Sequence, residues 1–277
     1  MKIINSVVFV AFLGSCMGIL IGYLITDKSH LIMTTSGTPK NIRSEDKKSV
    51  RFITNIGKVE DLHMELSKTA VIVIDMQNSF ASKGGMLDYL RKFSDKNRVI
   101  IQPIQNVLKA TRTARIKTIF LRMLYRSDLS NGGGTQSPNY WKELGIVAMR
   151  EKPQFKGKFI TEGTWDSEII EELKPFPGDI VVNKSRYSGF VNNELQTILQ
   201  TYNIKYLIFV GLATNVCVES TIRDAFFHEY FPILVSDCVA PVGPDYLQDA
   251  TVFNVQNFFG WVTTSDSLIK FIRETRK

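Results

Sequence analysis

The chain has 277 residues, 44% of them apolar, and a formal net charge of +7. This length and apolar content can bury a sizeable core and predict one α/β domain with an extension. The 34 Lys and Arg residues are scattered and are not clustered beside aromatic residues, which argues against nucleic-acid binding. The basic balance fits an anionic substrate and an anionic membrane surface equally well.

Residues 6–25 form an uncharged, mostly apolar segment between Lys2 and the pair Asp27-Lys28. About 20 apolar residues suffice to cross the hydrocarbon core of a bilayer as a helix. A cleaved signal peptide is the alternative, but its apolar region is usually shorter and ends in a small-x-small cleavage site, which is not obvious here. We therefore expect residues 1–28 to be a membrane anchor, with a signal as the alternative.

Basic residues set the expected orientation of this segment. Lys28, Lys40 and Arg43 after it outweigh Lys2 before it, so the positive-inside rule places the following domain in the cytosol. Secretion after signal cleavage is the alternative location.

Residues 29–65 are polar, and we expect a linker that leads into a domain at residues 66–277. In that domain, apolar strand candidates alternate with helical patterns. The predicted strands are Val71–Ile74, Thr118–Leu121, Ile180–Asn183, Leu207–Val210, Ile233–Val235 and Trp261–Thr263. The predicted helices are Arg98–Arg115, Ser167–Leu173, Asn192–Tyr202, Cys217–Glu229 and Tyr246–Phe258. Such alternation implies right-handed crossovers, so we expect an α/β fold, a three-layer αβα sandwich around a six-stranded, mainly parallel sheet.

The Gly-rich segment from Ser127 to Tyr140 is too long for a plain connection, and we expect it to act as a lid or as an oligomer contact. Aromatic residues at Phe226-Phe227 and Phe258-Phe259 also favour a homo-oligomer.

Asp75, Lys184 and Cys217 each follow the end of a predicted apolar strand, and Cys217 also begins a predicted helix. Ligands bind at the carboxyl ends of parallel strands, so these side chains would converge there if their strands are neighbours. A thiol, a base and a cation are the set that an activated cysteine nucleophile requires. The helix N-terminus would lower the thiol pKa and hold an oxyanion.

Each of these residues also has an ordinary structural interpretation. A carboxylate at a strand end is often a helix cap, a lysine there is often solvated, and free cysteine is among the most buried residue types. Cys217 could also form a disulfide with Cys238, which follows the next predicted strand, and such a bridge would abolish its activity.

Several separated motifs occur in one order along the chain. They are Ile74-Asp75-Met76-Gln77-Asn78, Ser137-Pro138-Asn139-Tyr140, Gly163-Thr164-Trp165-Asp166, Arg186-Tyr187-Ser188-Gly189-Phe190, Ala213-Thr214-Asn215-Val216-Cys217-Val218-Glu219-Ser220-Thr221 and Phe258-Phe259-Gly260-Trp261-Val262. In these motifs the chain resembles the isochorismatase-like cysteine hydrolases, and among them the ureidoacrylate amidohydrolases of pyrimidine degradation. The resemblance covers the chain from Lys68 to Phe271.

The resemblance implies an isochorismatase-like fold of Rossmann-like topology and a cysteine-dependent amidohydrolase. Its reaction would be cleavage of a C–N bond in a small ureido or carbamoyl acid such as ureidoacrylate, through a thioester-type intermediate. Cys217 would be the nucleophile, Asp75 its base, and Lys184 the cation that stabilises both. Backbone N–H groups of Ala213 and Cys217 would hold the oxyanion, and the peptide bond before Ala213 is commonly cis in this family. The residues expected in the pocket wall are Asn78, Phe80, Tyr140, Trp165 and Tyr187.

No cofactor and no metal are expected. Relatives that cleave nicotinamide bind a divalent metal through an Asp and histidines, but the stretch from Asp75 to Asp88 contains no histidine. Biuret, N-carbamoylsarcosine and nicotinamide are alternative substrates. A membrane-tethered binding protein without turnover is the alternative from a different class.

Three residues depart from the subfamily pattern. Ser185 stands where relatives tend to have proline, Met123 where a polar pocket residue is expected, and Met86 where an aromatic residue is expected. These departures affect substrate identity more than reaction type. Arg186 or Arg122 could pair with a substrate carboxylate, although a structural salt bridge is the commoner role for such an arginine.

Overall fold

The computed structural model describes residues 49–53 and 59–276. Its first strands, β1 (Ser49–Ile53) and β2 (Val59–His63), pair antiparallel in a separate two-stranded sheet. These strands lie inside the stretch predicted as a linker, so this part of it has regular structure. Residues 1–48 and 54–58 lie outside the described residues, and with them the predicted anchor and the rest of the linker. In the part of the chain that the structure describes, no helix is both long enough and apolar enough to cross a membrane.

The main sheet has six strands, and every neighbouring pair is parallel. In chain order its strands are β3 (Thr69–Ile74), β4 (Lys117–Met123), β5 (Ile180–Lys184), β6 (Tyr206–Leu212), β7 (Phe231–Ala240) and β8 (Trp261–Thr263). Their spatial order is β5-β4-β3-β6-β7-β8. All six predicted strands are therefore confirmed, most of them one or more residues longer than predicted.

Helices cover both faces of this sheet, as the predicted three-layer sandwich requires. They are α1 (Asn78–Ala81), α2 (Met86–Tyr89), α3 (Lys96–Val99), α4 (Ile101–Thr113), α5 (Pro138–Lys142), α6 (Leu144–Glu151), α7 (Leu195–Thr201), α8 (Glu219–Phe227), α9 (Tyr246–Asn254) and α10 (Ser265–Thr275). Two π-helical turns, Thr214–Val218 and Val255–Phe259, adjoin α8 and α9.

Alternate residues of β3 face opposite layers because successive side chains of a strand point to opposite faces. Val71 and Val73 belong to one core cluster with residues of α4 and α10, such as Val107 and Leu268. Ile72 packs in the other cluster with residues of α7 and α8. All six residues of β3 are buried, so a continuous run of β-branched residues marks the centre of the sheet.

The helix predicted over Ser167–Leu173 is wrong. That stretch forms two single 3₁₀ turns, Trp165–Ser167 and Glu171–Leu173, with extended backbone between them. Ile169 pairs antiparallel with Gln77 in an isolated bridge, which takes up the backbone groups that a helix would need. The other four predicted helices occur in place with shifted ends, and α3 with α4 fill the first of them.

Gly211 allows β6 to lie against the end of β3. It has a φ of 116°, and a Cβ at this position would lie 2.1 Å from the Ile74 carbonyl oxygen. A residue with a side chain would suffer both the left-handed backbone strain and a clash with main-chain atoms that cannot move away easily.

We expect Gly211→Ala to lower the free energy of unfolding by about 3 kcal/mol or more, since overpacking adds to the cost of a positive φ. Gly178→Ala is the matched control, because Gly178 has a φ of 97° with no atom within 4 Å of its added Cβ. That control should lose about 1 kcal/mol from the backbone alone. Urea denaturation measures both losses, and equal losses would contradict the close approach of β6 to β3.

Candidate active site

Asp75 stands directly after β3 in a left-handed backbone conformation, with a φ of 49°. Its backbone N–H donates to the Leu121 carbonyl oxygen at 3.0 Å, so the chain leaves the sheet while still bonded to β4. The carboxylate is 1% exposed. A buried charge of this kind is stable only when it is paired and hydrogen-bonded.

The ammonium of Lys184 supplies that pairing. It extends from the end of β5, and its Nζ donates to Asp75 Oδ2 at 2.7 Å. Because β4 lies between β3 and β5, the two strands are not neighbours, and the long lysine side chain bridges the distance. Lys184 Nζ also donates to the Arg186 carbonyl oxygen at 3.2 Å and lies 3.7 Å from Met123 Sδ.

The end of β4 completes the environment of the carboxylate. The Met123 backbone N–H donates to Asp75 Oδ1 at 3.1 Å and to Gln77 Oε1 at 2.8 Å. Gln77 Nε2 in turn donates to the carbonyl oxygens of Met123 and Ser167. The fully buried Gln77 amide therefore fixes the end of β4 beside Asp75. Gln77 lies in one of the quoted motifs, but the sequence assigned it no role.

Cys217 enters the same cluster from the π-helical turn that follows β6. Its thiol lies close enough to the Asp75 carboxylate and the Lys184 ammonium for both charges to act on its pKa, and the residue is 8% exposed. Single π-helical turns are frequent at functional sites. The peptide bond between Leu212 and Ala213 is cis, as the family resemblance predicts. The structure thus brings together the acid, the ammonium and the sulfur.

Burial raises the pKa of Cys217 well above its ordinary value, and the nearby negative charge of Asp75 raises it further, while Lys184 lowers it. The sequence predicted a lowered pKa from the helix N-terminus, and this prediction is wrong because desolvation outweighs the favourable charge. For Lys184, burial alone would lower the pKa, but the negative charges of Asp75 and Cys217 raise it. The resting cysteine is therefore a neutral thiol beside an ionised lysine.

Cys217 and Cys238 are both free thiols. The disulfide considered as an alternative is therefore not formed. Cys238 is fully buried in the core cluster on one face of the sheet, while Cys217 belongs to the cluster on the other face.

A cavity of about 70 Å³ adjoins the thiol. Its lining residues are Asp75, Phe80, Leu87, Met123, Glu143, Leu144, Tyr187, Leu212, Ala213, Val216, Cys217 and Val242. Of the predicted pocket residues, Phe80 and Tyr187 line it. A water molecule occupies about 30 Å³ in the liquid, so the cavity holds only a few non-hydrogen atoms.

The other predicted pocket residues lie elsewhere. Asn78 and Trp165 line a separate depression, where Asn78 Nδ2 donates to the Trp165 carbonyl oxygen at 2.9 Å. The ring of Tyr140 packs at 5.1 Å from that of Trp141 and from the Arg150 guanidinium. Their positions follow from the bridge at Ile169 and from the course of α5, which the sequence did not reveal.

The two arginines considered for a substrate carboxylate do not line the cavity either. Arg186 Nη1 donates to the carbonyl oxygens of Asn131 and Ser185. Arg122 Nε donates to Asn183 Oδ1 at 2.9 Å. Both guanidinium groups are used within the protein.

Glu143 also lines the cavity, and no motif in the sequence marks it as a functional residue. It immediately precedes α6, and its side-chain oxygens accept hydrogen bonds from the backbone N–H groups of Gly145 and Ile146. The available signal was an acidic residue just before an apolar helix, which resembles an ordinary helix start. Only the fold shows that this helix begins at the cavity.

A family model described as the isochorismatase domain matches residues 69–267. The ureidoacrylate amidohydrolase RutB of Caulobacter segnis is 45% identical over 206 residues, covering 74% of this chain and 86% of the relative. The protein of the same name from Serratia proteamaculans is 40% identical over 226 residues, covering 82% of this chain and 91% of the relative.

Solved structures agree with this match. A cysteine hydrolase from Pseudomonas syringae pv. phaseolicola aligns with a TM-score of 0.66 and 32% identity, covering 82% of this chain and 98% of the other. The N-carbamoylsarcosine amidase of Thermoplasma acidophilum aligns with a TM-score of 0.55 and 25% identity, covering 72% of this chain and 97% of the other.

We expect Lys184→Met to lower the free energy of unfolding by about 3–5 kcal/mol, because it leaves the buried Asp75 carboxylate without its partner. The double variant that adds Asp75→Asn should recover most of this loss, since it removes the orphaned charge. Lys174→Met is the control, because Lys174 pairs with Glu171 at 3.5 Å with both side chains exposed. Chemical denaturation measures all three, and equal losses for the two lysine variants would contradict a buried ion pair.

Proposed function

The chain belongs to the isochorismatase family, and from this premise we propose that it is a cysteine-dependent amidohydrolase that cleaves a small ureido or carbamoyl acid such as ureidoacrylate. It is a hydrolase of carbon–nitrogen bonds other than peptide bonds. The observation that carries the proposal is the buried ion pair of Asp75 and Lys184 beside Cys217, with Asp75 and Cys217 lining one small cavity. The identity of 40–45% to proteins named ureidoacrylate amidohydrolase supports the substrate class.

In the first half of the reaction, Asp75 takes the thiol proton as Cys217 attacks the ureido carbonyl carbon. The raised thiol pKa means that this proton transfer accompanies the attack, because little thiolate exists beforehand. The new S–C bond places a negative charge on the carbonyl oxygen. The backbone N–H groups of Ala213 and Cys217 are the donors that we assign to this oxyanion.

The tetrahedral intermediate then collapses. The C–N bond to the leaving nitrogen breaks, and Asp75 returns its proton to that nitrogen as a general acid. With ureidoacrylate, aminoacrylate departs and a carbamoyl group remains on the sulfur. Asp75 next takes a proton from water, the water oxygen attacks the carbamoyl carbon, and the S–C bond breaks to release carbamate and restore the thiol.

Lys184 keeps the site ready for this cycle. Its positive charge stabilises the Asp75 carboxylate before attack and a negative sulfur during bond making and breaking. The buried position matters, because an ion pair interacts much more strongly where water is excluded. Binding without turnover does not require a buried thiol, acid and ammonium close together, so this arrangement favours an enzyme over a binding protein.

A second substrate class receives support from one comparison. The similarity to an N-carbamoylsarcosine amidase of known structure makes another N-carbamoyl compound the main competitor. Its scissile bond is also a C–N bond of a carbamoyl group, so the same residues would act on it.

We expect the purified chain to release carbamate, detected as ammonia, from ureidoacrylate within a panel that includes N-carbamoylsarcosine, biuret and nicotinamide. Asp75→Asn should lower kcat/KM by about 10²–10⁴-fold, since it removes the general base and acid. Cys217→Ala should abolish turnover, while Cys238→Ala, at the other buried cysteine, should retain it. No activity on any ureido compound, or full activity of Cys217→Ala, would overturn the proposal.

We also propose that residues 6–25 anchor the enzyme to a membrane, with the catalytic domain in the cytosol. Support comes from the sequence alone, through the uncharged apolar stretch and the basic residues after it. The homo-oligomer expected from the aromatic residues near Phe226 and Phe258 stays a prediction.

After cell fractionation, the full chain should stay in the membrane pellet through an alkaline carbonate wash, because an inserted helix is not released by high pH or salt. A chain that lacks residues 1–28 should appear in the supernatant. Release of the full chain by the wash, or a mature chain that begins after residue 25, would contradict the anchor.

A further inference from the structure

Among the described residues that line the cavity, Glu143 is the one carboxylic acid that the reaction above does not use. It is 3% exposed and lines the same cavity as Asp75 and Cys217. Its charge lies close enough to Cys217 to raise the pKa of that thiol further. Burying an acid beside a nucleophile costs free energy, so we expect Glu143 to have a function in the site.

The rest of the wall is mostly apolar. Its apolar lining residues include Phe80, Leu87, Met123, Val216 and Val242. Among the described residues that line it, none is an arginine or a lysine. The nearest ammonium, that of Lys184, is already bonded to Asp75. The cavity therefore offers acceptors for N–H groups and no free cation for a carboxylate.

Glu143 retains capacity to bind such a donor. One carboxylate oxygen accepts from the Gly145 N–H at 3.1 Å and the other from the Ile146 N–H at 2.8 Å. The Tyr125 hydroxyl lies nearby and opposes the rise in the pKa of this carboxyl. A carboxylate has about four acceptor positions, so capacity remains for a group in the cavity.

Capping of α6 does not by itself explain this residue. Ser, Thr, Asp and Asn are the preferred residues before a helix, and Ser or Thr would cap α6 without placing a charge in the cavity. The longer glutamate side chain brings its carboxylate to the cavity wall while it still caps the helix.

We propose that Glu143 accepts a hydrogen bond from the carbamoyl N–H₂ of the substrate and makes the cavity selective for an uncharged end that carries N–H donors. This inference rests on the proposed function and refines its substrate. The carbamoyl end enters the cavity beside Cys217, and the carboxylate of a ureido acid stays outside it. Glu143 is thereby a specificity-determining residue.

The titratable groups near Glu143 come from several elements. Lys184 extends from the end of β5, Cys217 from the turn after β6, and the Tyr125 and Tyr187 hydroxyls from two loops. Burial raises the pKa of Glu143, while the two backbone N–H groups and Lys184 oppose the rise. The carboxylate form of Glu143 is therefore favoured by a higher pH than that of an ordinary glutamate.

Two alkylating reagents of equal size test this selectivity without any turnover. Iodoacetamide carries a carboxamide with N–H₂, and iodoacetate carries a carboxylate. In each case the Cys217 sulfur bonds to the methylene carbon, iodide leaves, and the thiol proton passes to Asp75 or to solvent. Mass spectrometry of the Cys217 peptide from the full chain gives both rates, and an alkaline buffer is used because the raised pKa of Glu143 makes its carboxylate form depend on high pH.

We expect the ratio of the iodoacetamide rate to the iodoacetate rate at Cys217 to exceed the ratio for free cysteine by about tenfold or more, because a like charge repels the anionic reagent. In Glu143→Gln the ratio should fall to within about threefold of free cysteine, since the negative charge is gone. A wild-type ratio equal to that of free cysteine would overturn the proposal, and this measurement needs no variant to fold.

Asp166→Asn is the matched control. Asp166 is also a buried acid whose oxygens accept two backbone N–H groups, from Met86 and Ile160, but it does not line the cavity. Its variant should leave the ratio unchanged. If Glu143 served only to cap α6, Glu143→Gln would lower thermal stability but leave the ratio of the two alkylation rates at its wild-type value. That result would contradict the proposal.

The outcome is separable from that for the proposed function. Failure to hydrolyse ureido compounds, with the ratio as expected, would remove the substrate class and leave the selectivity of the cavity in place. Hydrolysis of ureidoacrylate, with an alkylation ratio equal to that of free cysteine, would support the substrate class and remove the proposed role of Glu143.

Discussion

The buried contact between Asp75 and Lys184 is the interaction on which the rest of the site depends. Neither side chain is exposed by more than 1%, so each charge is stable only because the other lies 2.7 Å away. The contact crosses β4, and the backbone N–H of Met123 donates a hydrogen bond to the other carboxylate oxygen of Asp75. The sheet order, the left-handed turn at Asp75 and the close approach at Gly211 all serve to hold this pair at the sheet edge.

The fold and the reacting residues could both be predicted from the sequence, because apolar strands define the sheet and the reacting residues come after the ends of those strands. The run Thr69–Ile74 is buried on both faces and is followed directly by a polar residue, so one pattern identifies both the strand and the candidate catalytic residue after it. The sequence could not predict that Lys184 bridges a strand, since strand order is not encoded locally. It also misjudged the Cys217 pKa, because desolvation depends on everything packed around the thiol.

Residues from loops and short turns were the hardest to place. The stretch around Ile169 reads as helical but pairs with Gln77, and this pairing carries Trp165 away from the cavity. Glu143 reads as a plain helix start, yet α6 begins at the cavity wall. Such side chains are positioned by tertiary contacts, and these contacts are what distinguish one substrate pocket from another on a shared fold.

The chemical consequence is a nucleophile that is held neutral until a substrate arrives. A thiol with a raised pKa beside an acid and an ammonium transfers its proton only when its sulfur finds a carbonyl carbon, which limits side reactions. The cavity beside the thiol is small and mostly apolar, so few water molecules can surround the reacting atoms.

Acid quenching of the enzyme during turnover of ureidoacrylate, followed by mass spectrometry of its cysteine peptides, tests whether Cys217 is the nucleophile. We expect a single carbamoyl group on the peptide that contains Cys217 and none on the peptide that contains Cys238. Turnover without an adduct on Cys217, in a quench fast enough to capture the steady state, would contradict this role of Cys217. A carbamoyl adduct that still forms on the enzyme in Cys217→Ala would contradict it as well.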